Sequence, residues 1–212
     1  LATIDEGDEI IIPTPYWISY ADQAKLAGGR PVFVPCPQNN GFKLRAEDLD
    51  AAITPKTKWL VLNSPSNPSG AALSADELRA IGAVVARHPH LWVLSDDMYE
   101  HMVYDGFTFA TLAQAAPETR GQVLTVNGAS KAYAMTGWRV GFCGGPKALV
   151  KAMVNVQGQL SSGICTVAQA AAAAALDGPQ DLVAERQAIY RERRDLVVEL
   201  LYRAPGVVCH KP

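Results

Sequence analysis

The chain has 212 residues, of which 49% are hydrophobic and 19% are charged, and its formal net charge at pH 7 is −2. This composition predicts a globular protein with one large domain, and the balanced charge gives no indication of a nucleic-acid partner, which would require a basic patch or stripe. No apolar run reaches the roughly 18 residues that a membrane span needs, so we expect no membrane partner.

The N-terminal segment and the cysteines indicate a compartment. The segment LATIDEGDE is acidic and lacks a secretory pattern, and Cys36, Cys143, Cys165 and Cys209 lie far apart without a C-x-x-C pair. Free thiols are the usual state in a reducing cytosol, so we expect a cytoplasmic protein. The scattered cysteines and the four histidines also predict that no metal is bound.

Short apolar runs recur along the chain. They are rich in valine, isoleucine, leucine and aromatic residues and are bounded by glycine, proline, asparagine or aspartate. Runs of this kind predict buried strands that are covered on both faces. In chain order, the predicted strands are residues 8–13, 31–35, 58–63, 91–96, 123–127 and 139–144.

Helical patterns lie between these runs, at residues 45–53, 74–88 and 146–160. The second of them opens with a capping box from Ser74 to Glu77, which is a sequence signal for a helix start. Alternating strands and helices predict an α/β fold, here a three-layer structure with a mostly parallel sheet flanked by helices.

A last helical pattern at residues 179–204 is long for a globular protein, and an apolar stripe runs along it from Leu182 to Leu201. Its length suggests a strut between two lobes. We therefore expect residues 1–178 to form a large ligand-binding domain and residues 179–212 to form the linking helix and the start of a small domain. The chain has no initiator methionine and ends where a strand begins, so we expect a fragment of a longer protein.

Ligands of open α/β sheets bind beyond the carboxyl ends of the strands. Taken singly, the polar and aromatic residues expected at this edge have ordinary structural explanations: turn formation, helix capping, core packing, or surface charge and ion pairs. The residues at this edge are Trp17, Asn67, Asp96, Tyr99, Lys131 and Arg139.

Together, the same residue types match what an aldehyde cofactor on a pyridine ring requires. A lysine amine can form a Schiff base with the aldehyde, and a carboxylate can keep the pyridine nitrogen protonated. Hydroxyl and amide donors can bind the 3-oxygen, an aromatic ring can stack on the pyridine, and a cation can hold the phosphate.

Four segments carry a family resemblance: GDEIIIPTPYWISY, NSPSNPSG, SDDMYEH and NGASKAYAMTGWRVGF. In this order they resemble the class-I aminotransferases, which are pyridoxal-phosphate enzymes of fold type I, in the branch that holds bacterial aspartate aminotransferases. Each motif alone is weak, but the set is specific and covers essentially the whole chain. The resemblance implies pyridoxal 5′-phosphate as cofactor and transfer of an amino group between an amino acid, aspartate or similar, and a 2-oxo acid.

The resemblance also implies a role for each residue. Lys131 is then the Schiff-base lysine and the acid and base that moves the substrate proton, while Asp96 pairs with the pyridine nitrogen. Tyr99 and Asn67 are the donors to the 3-oxygen. Asn67 and the indole N–H of Trp17 also approach a substrate carboxylate, and the Trp17 ring stacks on the cofactor.

The phosphate end of the predicted site departs from the family pattern. Arg139 is implied as the phosphate clamp, but Gly128 stands where some relatives have serine, and Ser130 is only a weak substitute. Gly128 and Ala129 are expected to leave room for the cofactor. The family's glycine-rich phosphate turn and its α-carboxylate arginine fall outside the chain, so we expect the chain alone to be inactive. Family members are dimers, which implies a homodimer for the full-length protein.

Two other functions fit the same residues. A pyridoxal-phosphate C–S lyase uses the same lysine and carboxylate for α,β-elimination, although the segment MTGWR favours the aminotransferase branch. An aminotransferase-like effector domain of a transcription regulator would bind the cofactor without turnover, behind a DNA-binding domain.

Overall fold

A computed structural model describes residues 1–212 and has one six-stranded sheet in the order β2-β1-β3-β4-β5-β6. The first five strands are parallel to their neighbours, and β6 runs antiparallel to β5. The α/β class and the mostly parallel sheet are therefore confirmed. In chain order, the strands are β1 (Glu9–Thr14), β2 (Arg30–Pro35), β3 (Thr57–Asn63), β4 (Trp92–Asp96), β5 (Val123–Gly128) and β6 (Gly141–Gly144).

Helices cover both faces of the sheet. They are α1 (Ser19–Leu26), α2 (Ala46–Ala52), α3 (Ala75–Ala86), α4 (Leu112–Ala115), α5 (Lys147–Leu160), α6 (Thr166–Asp177) and α7 (Asp181–Tyr202). One core cluster contains Leu49 of α2, Leu78 of α3 and Leu112 of α4. A second contains Tyr20 of α1 and Leu149 of α5. The two clusters lie on opposite faces of the sheet. Helices, sheet and helices therefore form the three layers that the alternation of elements predicts.

Strand β1 shows how the apolar runs build this arrangement. Successive side chains of a strand point to opposite faces of the sheet. Ile11 accordingly belongs to one core cluster, while Ile10 and Ile12 belong to the other. All three are buried, because a parallel sheet between helices needs apolar residues on both faces.

Strand β6 differs from the sequence prediction. It begins at Gly141 instead of Arg139, because Arg139 adopts a left-handed conformation with φ of +55° after a short 3₁₀ turn at Thr136–Trp138. All four residues of β6 are exposed, so the prediction of a strand covered on both faces was wrong here. The physical reason is its position at the edge of the sheet, where only β5 pairs with it.

The long final helix α7 contacts the rest of the chain through polar bonds. Gln187 Nε2 donates to the Val103 carbonyl at 2.6 Å, and Arg194 forms an ion pair of 2.9 Å with Asp105. Every helix of the structure is too short or too polar to cross a membrane. The apolar stripe that was predicted along α7 is not packed against the rest of this chain. The exposed fractions are between 37% and 55% for Leu182, Ile189, Leu196, Val197, Leu200 and Leu201.

Candidate active site

The strand ends of β3 and β4 form the centre of the site. Asn63 and Asp96 are the last residues of these strands, and they are paired in register. The Asn63 side chain donates to the backbone carbonyl of Asp96 at 2.9 Å and accepts a hydrogen bond of 2.8 Å from the backbone N–H of Asn67. Asn63 therefore fixes the loop that carries Asn67 relative to Asp96. The sequence analysis missed it, although an amide at the end of a predicted strand is a usable signal.

The carboxylate of Asp96 is held at both oxygens. Oδ2 accepts a hydrogen bond of 2.5 Å from the Tyr20 hydroxyl, and Oδ1 accepts one of 3.1 Å from the backbone N–H of Met98. Burial raises the pKa of Tyr20 far above its ordinary value, and the negative charge of Asp96 raises it further. Tyr20 therefore stays protonated and remains a donor. This second missed residue lies in α1, close to Trp17 in sequence.

Tyr99 brings Asn67 and Lys131 together with Asp96. It lies in the turn after β4, where its carbonyl accepts the N–H of Met102 at 2.8 Å. Burial raises the pKa of Tyr99 and the Asp96 charge raises it further, whereas the nearby Asn67 side chain lowers it. The amine of Lys131 lies 5.9 Å from the centre of the Tyr99 ring. One group at the carboxyl ends of β3, β4 and β5 therefore contains Lys131, Tyr99, Asn67 and Asp96.

Lys131 lies in a turn directly after β5, and the start of this turn is tightly packed. Ala129 is fully buried, and a Cβ atom on Gly128 would lie 2.8 Å from the Val140 carbonyl oxygen and 3.2 Å from Met98 Cε. The glycine is therefore required by contacts within the chain. Protein atoms fill the space on the Cβ side of Gly128, and the room for a cofactor expected beside Gly128 and Ala129 stays a prediction.

Trp17 belongs to the same group through Tyr20. Its indole is 43% exposed and stands edge-on to the Tyr20 ring, with centroids 5.4 Å apart and an angle of 87° between the planes. An exposed face of this kind is available for stacking. The structure therefore connects Trp17 with Asp96 through one intervening aromatic ring.

Arg139 and Ser130 lie near the end of β5 without direct contacts to this group. Arg139 is exposed, and its guanidinium donates to the Thr136 carbonyl at 2.6 Å. Because β6 is antiparallel, Gly141 pairs with Gly128, and Arg139 still lies at the edge where β5 ends. Ser130 is half-buried and its side chain forms no hydrogen bond within the chain.

The loop between β5 and β6 is closed at its base. The backbone N–H of Ala129 donates to the Val140 carbonyl at 3.2 Å, next to the pair of Gly128 and Gly141. Lys131 and Arg139 are therefore both carried by one loop whose two ends meet at the sheet.

Asp97 is a buried carboxyl directly beside the site, and its exposed fraction is 4%. Its Oδ1 accepts a hydrogen bond of 2.9 Å from the Ser95 hydroxyl. Burial raises the pKa of Asp97 to about 6, and the charges of Glu100 and Asp96 also raise it, while the hydroxyls of Thr111 and Ser95 lower it.

A cleft of about 1170 Å³ opens beside Asn67 and Tyr99. Its walls are the loop at residues 65–72, the turn at 102–107, one side of α7 and the last residues of the chain. A small molecule at the strand ends would have room on this side.

An open α/β sheet with a lysine, a carboxylate and a tyrosine gathered at its strand ends is the architecture of a ligand-binding domain. The family follows from comparison. The family model described as aminotransferase class I and II matches residues 1–212, so the chain belongs to this family.

Relatives and solved structures agree with this assignment. A Rhizobium meliloti (strain 1021) protein named aspartate aminotransferase is 56% identical over all 212 residues, which cover 52% of its length. A Cereibacter sphaeroides aspartate/prephenate aminotransferase is 53% identical over the same span, which covers 53% of its length. The chain spans about half the length of the curated relatives it matches.

The folds are also similar. The crystal structure of the Rhizobium meliloti aspartate aminotransferase matches with a TM-score of 0.98 and 55% identity, over 100% of this chain and 53% of that one. The Thermus thermophilus aspartate aminotransferase with maleate matches with a TM-score of 0.87 and 41% identity, over 95% of this chain and 52% of that one.

Proposed function

We propose that the protein is an aminotransferase that depends on pyridoxal 5′-phosphate and moves an amino group between an amino acid, aspartate or similar, and a 2-oxo acid. The observation that carries the proposal is the grouping of Lys131, Asp96, Tyr99 and Asn67 at the strand ends of a chain that belongs to the aminotransferase family. The names of the relatives, aspartate aminotransferase and aspartate/prephenate aminotransferase, support the choice of substrate.

The residues present fit the cofactor. When bound, pyridoxal phosphate supplies a protonated pyridine ring that withdraws electrons from the α-carbon of the amino acid. Asp96 is suited to face the ring nitrogen, because a carboxylate has about four acceptor sites and Tyr20 and Met98 use only two of them. The amine of Lys131 would hold the cofactor, and the Tyr99 hydroxyl and the Asn67 amide would face its 3-oxygen.

The chain's own groups would then perform the proton transfer and the binding. Lys131 would move the proton at the α-carbon of the substrate, and the centre of the Tyr99 ring lies 5.9 Å from its amine. Asn67 would bind the substrate carboxylate, and the exposed face of Trp17 would stack on the ring, with the indole N–H available to a substrate carboxylate. This covering face would also exclude water.

Arg139 and Ser130 would hold the phosphate. The Arg139 guanidinium has five N–H donors, of which one is used on the Thr136 carbonyl, so it keeps enough donors for a bidentate contact with phosphate. Ser130 has a free hydroxyl in the same loop. Both assignments rest on the position of this loop at the end of β5.

We also propose a division into a cofactor-binding large domain at residues 1–178 and a linking helix with the start of a small domain at 179–212. The exposed apolar residues of α7 and its polar contacts to the rest of the chain support this division. We further propose that the full-length protein works as a homodimer in the cytoplasm, with no nucleic-acid or membrane partner. The molar mass of the full-length protein in solution would test the homodimer, and cell fractionation would test the cytoplasmic location.

The test uses the purified full-length protein with added pyridoxal phosphate. We expect a visible absorption band of bound cofactor and transfer of the amino group from aspartate to 2-oxoglutarate, and we expect Lys131→Ala to lose both. An assay of pyruvate release from cystathionine tests the elimination alternative, which the relatives named above do not support. A wild type without the visible band, or a Lys131→Ala variant with full transfer activity, would contradict the proposal.

A further inference from the structure

A side-chain hydrogen bond joins the loop that carries Tyr99 to the loop that carries Lys131. Asn127 Nδ2 donates to Glu100 Oε1 at 2.7 Å, and Asn127 Oδ1 accepts a hydrogen bond of 2.7 Å from the backbone N–H of Gly128. One amide group therefore connects the turn after β4 with the start of the turn after β5. Nothing in the proposed function assigns a role to either Glu100 or Asn127.

The bond lies at the point where the sheet stops holding the two loops together. The last backbone hydrogen bond between these segments runs from the Asp97 N–H to the Val126 carbonyl at 2.9 Å. Beyond it, no backbone hydrogen bond joins the turn around Tyr99 to the turn around Lys131. Beyond that backbone bond, the next hydrogen bond between the two segments is the one from Asn127 to Glu100.

The chemistry of the pair favours a fixed geometry. A carboxylate acceptor makes a shorter and stronger hydrogen bond than a neutral oxygen. Glu100 and Asn127 are both half-buried, so water competes less for this bond than at the surface. Two other titratable groups face Glu100: the His101 ring at 3.4 Å and the buried carboxyl of Asp97.

We propose that the Glu100–Asn127 hydrogen bond is a positioning device that sets the separation between the Tyr99 hydroxyl and the Lys131 amine. The proposal rests on the proposed function, because the separation matters only when both groups act on one bound cofactor. Reacting groups lose rate when they are displaced by about 1 Å, so a link of this kind acts on kcat more than on substrate binding.

The test exchanges donor and acceptor across the bond. Asn127→Asp replaces Nδ2 with an oxygen, which places two carboxylates 2.7 Å apart and breaks the link, while the retained Oδ1 still accepts from the Gly128 N–H. The double variant Glu100→Gln/Asn127→Asp restores the bond, because the new amide donates to the new carboxylate. Asn39→Asp is the matched control for Asn127→Asp, since it makes the same chemical change at an exposed residue.

Three measurements are made on the full-length protein. They are kcat and KM for amino-group transfer, the visible circular dichroism of bound pyridoxal phosphate, and amide hydrogen exchange of residues 127–134 without cofactor. For Asn127→Asp we expect kcat to fall on the order of tenfold with KM within about threefold. We also expect a weaker dichroism band and faster exchange. The double variant recovers all three, and the control matches wild type.

Two outcomes would overturn the inference alone. One is an Asn127→Asp variant that keeps wild-type dichroism, exchange and kcat in a protein that binds the cofactor. The other is a double variant that folds but recovers nothing. A wild type without a visible cofactor band would overturn the proposed function and with it the positioning role, so the two failures are distinguished by the wild-type spectrum.

Discussion

The Tyr20 hydroxyl donates a 2.5 Å hydrogen bond to the Asp96 carboxylate and so connects the first turn of α1 to the end of β4. This bond orients the carboxylate that is proposed to face the cofactor nitrogen. The edge-on packing of Trp17 on the Tyr20 ring extends the same contact to the proposed stacking residue. One phenol therefore supports two of the proposed cofactor contacts.

Replacing Tyr20 with phenylalanine removes the donor and keeps the ring. We expect the free energy of unfolding of the cofactor-free protein to fall by about 1 kcal/mol, because the Asp96 oxygen loses its partner. We also expect weaker cofactor binding in a pyridoxal-phosphate titration. Tyr16→Phe is the control, since the Tyr16 ring stacks on Phe33 and its hydroxyl forms no hydrogen bond within the chain. Equal effects of the two substitutions would contradict this prediction.

Asp97 makes stability depend on pH in an unusual direction. Its folded pKa of about 6 lies above the unfolded value of 3.8. Between these values the unfolded chain releases the proton while the folded chain keeps it, so stability falls as pH rises through this window. Above about pH 6 the loss is complete.

Asp97→Asn removes this titration and retains an oxygen that can accept from Ser95. Relative to wild type, we expect the variant to gain stability progressively from pH 4 to pH 7, by on the order of 2–3 kcal/mol. Denaturant unfolding of both proteins across this range measures the difference, in which the other titrating groups cancel. A difference that does not vary with pH would show that burial does not raise the pKa of Asp97.

Gly128→Ala introduces a Cβ atom only 2.8 Å from the Val140 carbonyl oxygen. The backbone must shift to accept it, and overpacking of this kind costs about 1–3 kcal/mol of unfolding free energy. The shift would also displace Lys131 and reduce transfer activity. Gly121→Ala is the control, because nothing lies within 4 Å of its added Cβ. Thermal unfolding that is equal for both variants would rule out the clash.

Asn63→Ala removes the bridge between the Asn67 loop and the Asp96 carbonyl. Since Asn67 is proposed to bind the substrate carboxylate, we expect KM for the amino acid to rise on the order of tenfold, the equivalent of one lost hydrogen bond. Steady-state kinetics of the full-length protein measure this change. Asn39→Ala, at an exposed asparagine whose side chain forms no hydrogen bond, is the control. An unchanged KM would mean that Asn67 is positioned without Asn63.

The fold could be predicted because each strand coincides with a short apolar run in the sequence. Each predicted strand boundary lies within two residues of the observed one. Helix α1 was not predicted, since only Tyr20, Ala21 and Ala24 are buried in it and its apolar pattern is weak. The start of β6 was predicted too early, because the left-handed backbone of Arg139 leaves no trace in the hydrophobic pattern.

The candidate site could be predicted in part for a similar reason. Parallel strands end at one edge, so Asn67, Asp96 and Lys131 had to lie near each other once the strands were identified. Asn63 and Tyr20 were missed because their contacts depend on strand register and on how α1 packs, which single residues do not encode. The catalytic and binding roles of all these residues remain predictions.

The closed base of the loop between β5 and β6 has a consequence for engineering. Because the Ala129–Val140 backbone bond fixes where this loop leaves and re-enters the sheet, residues 130–139 form a cassette with anchored ends. Lys131 and Arg139 would move together if the cassette were transplanted into a related sheet, whereas Asp96 and Asn67 would have to be supplied by the host. A transplanted segment would have to include the pair of Gly128 and Gly141, which anchors both ends of this loop to the sheet.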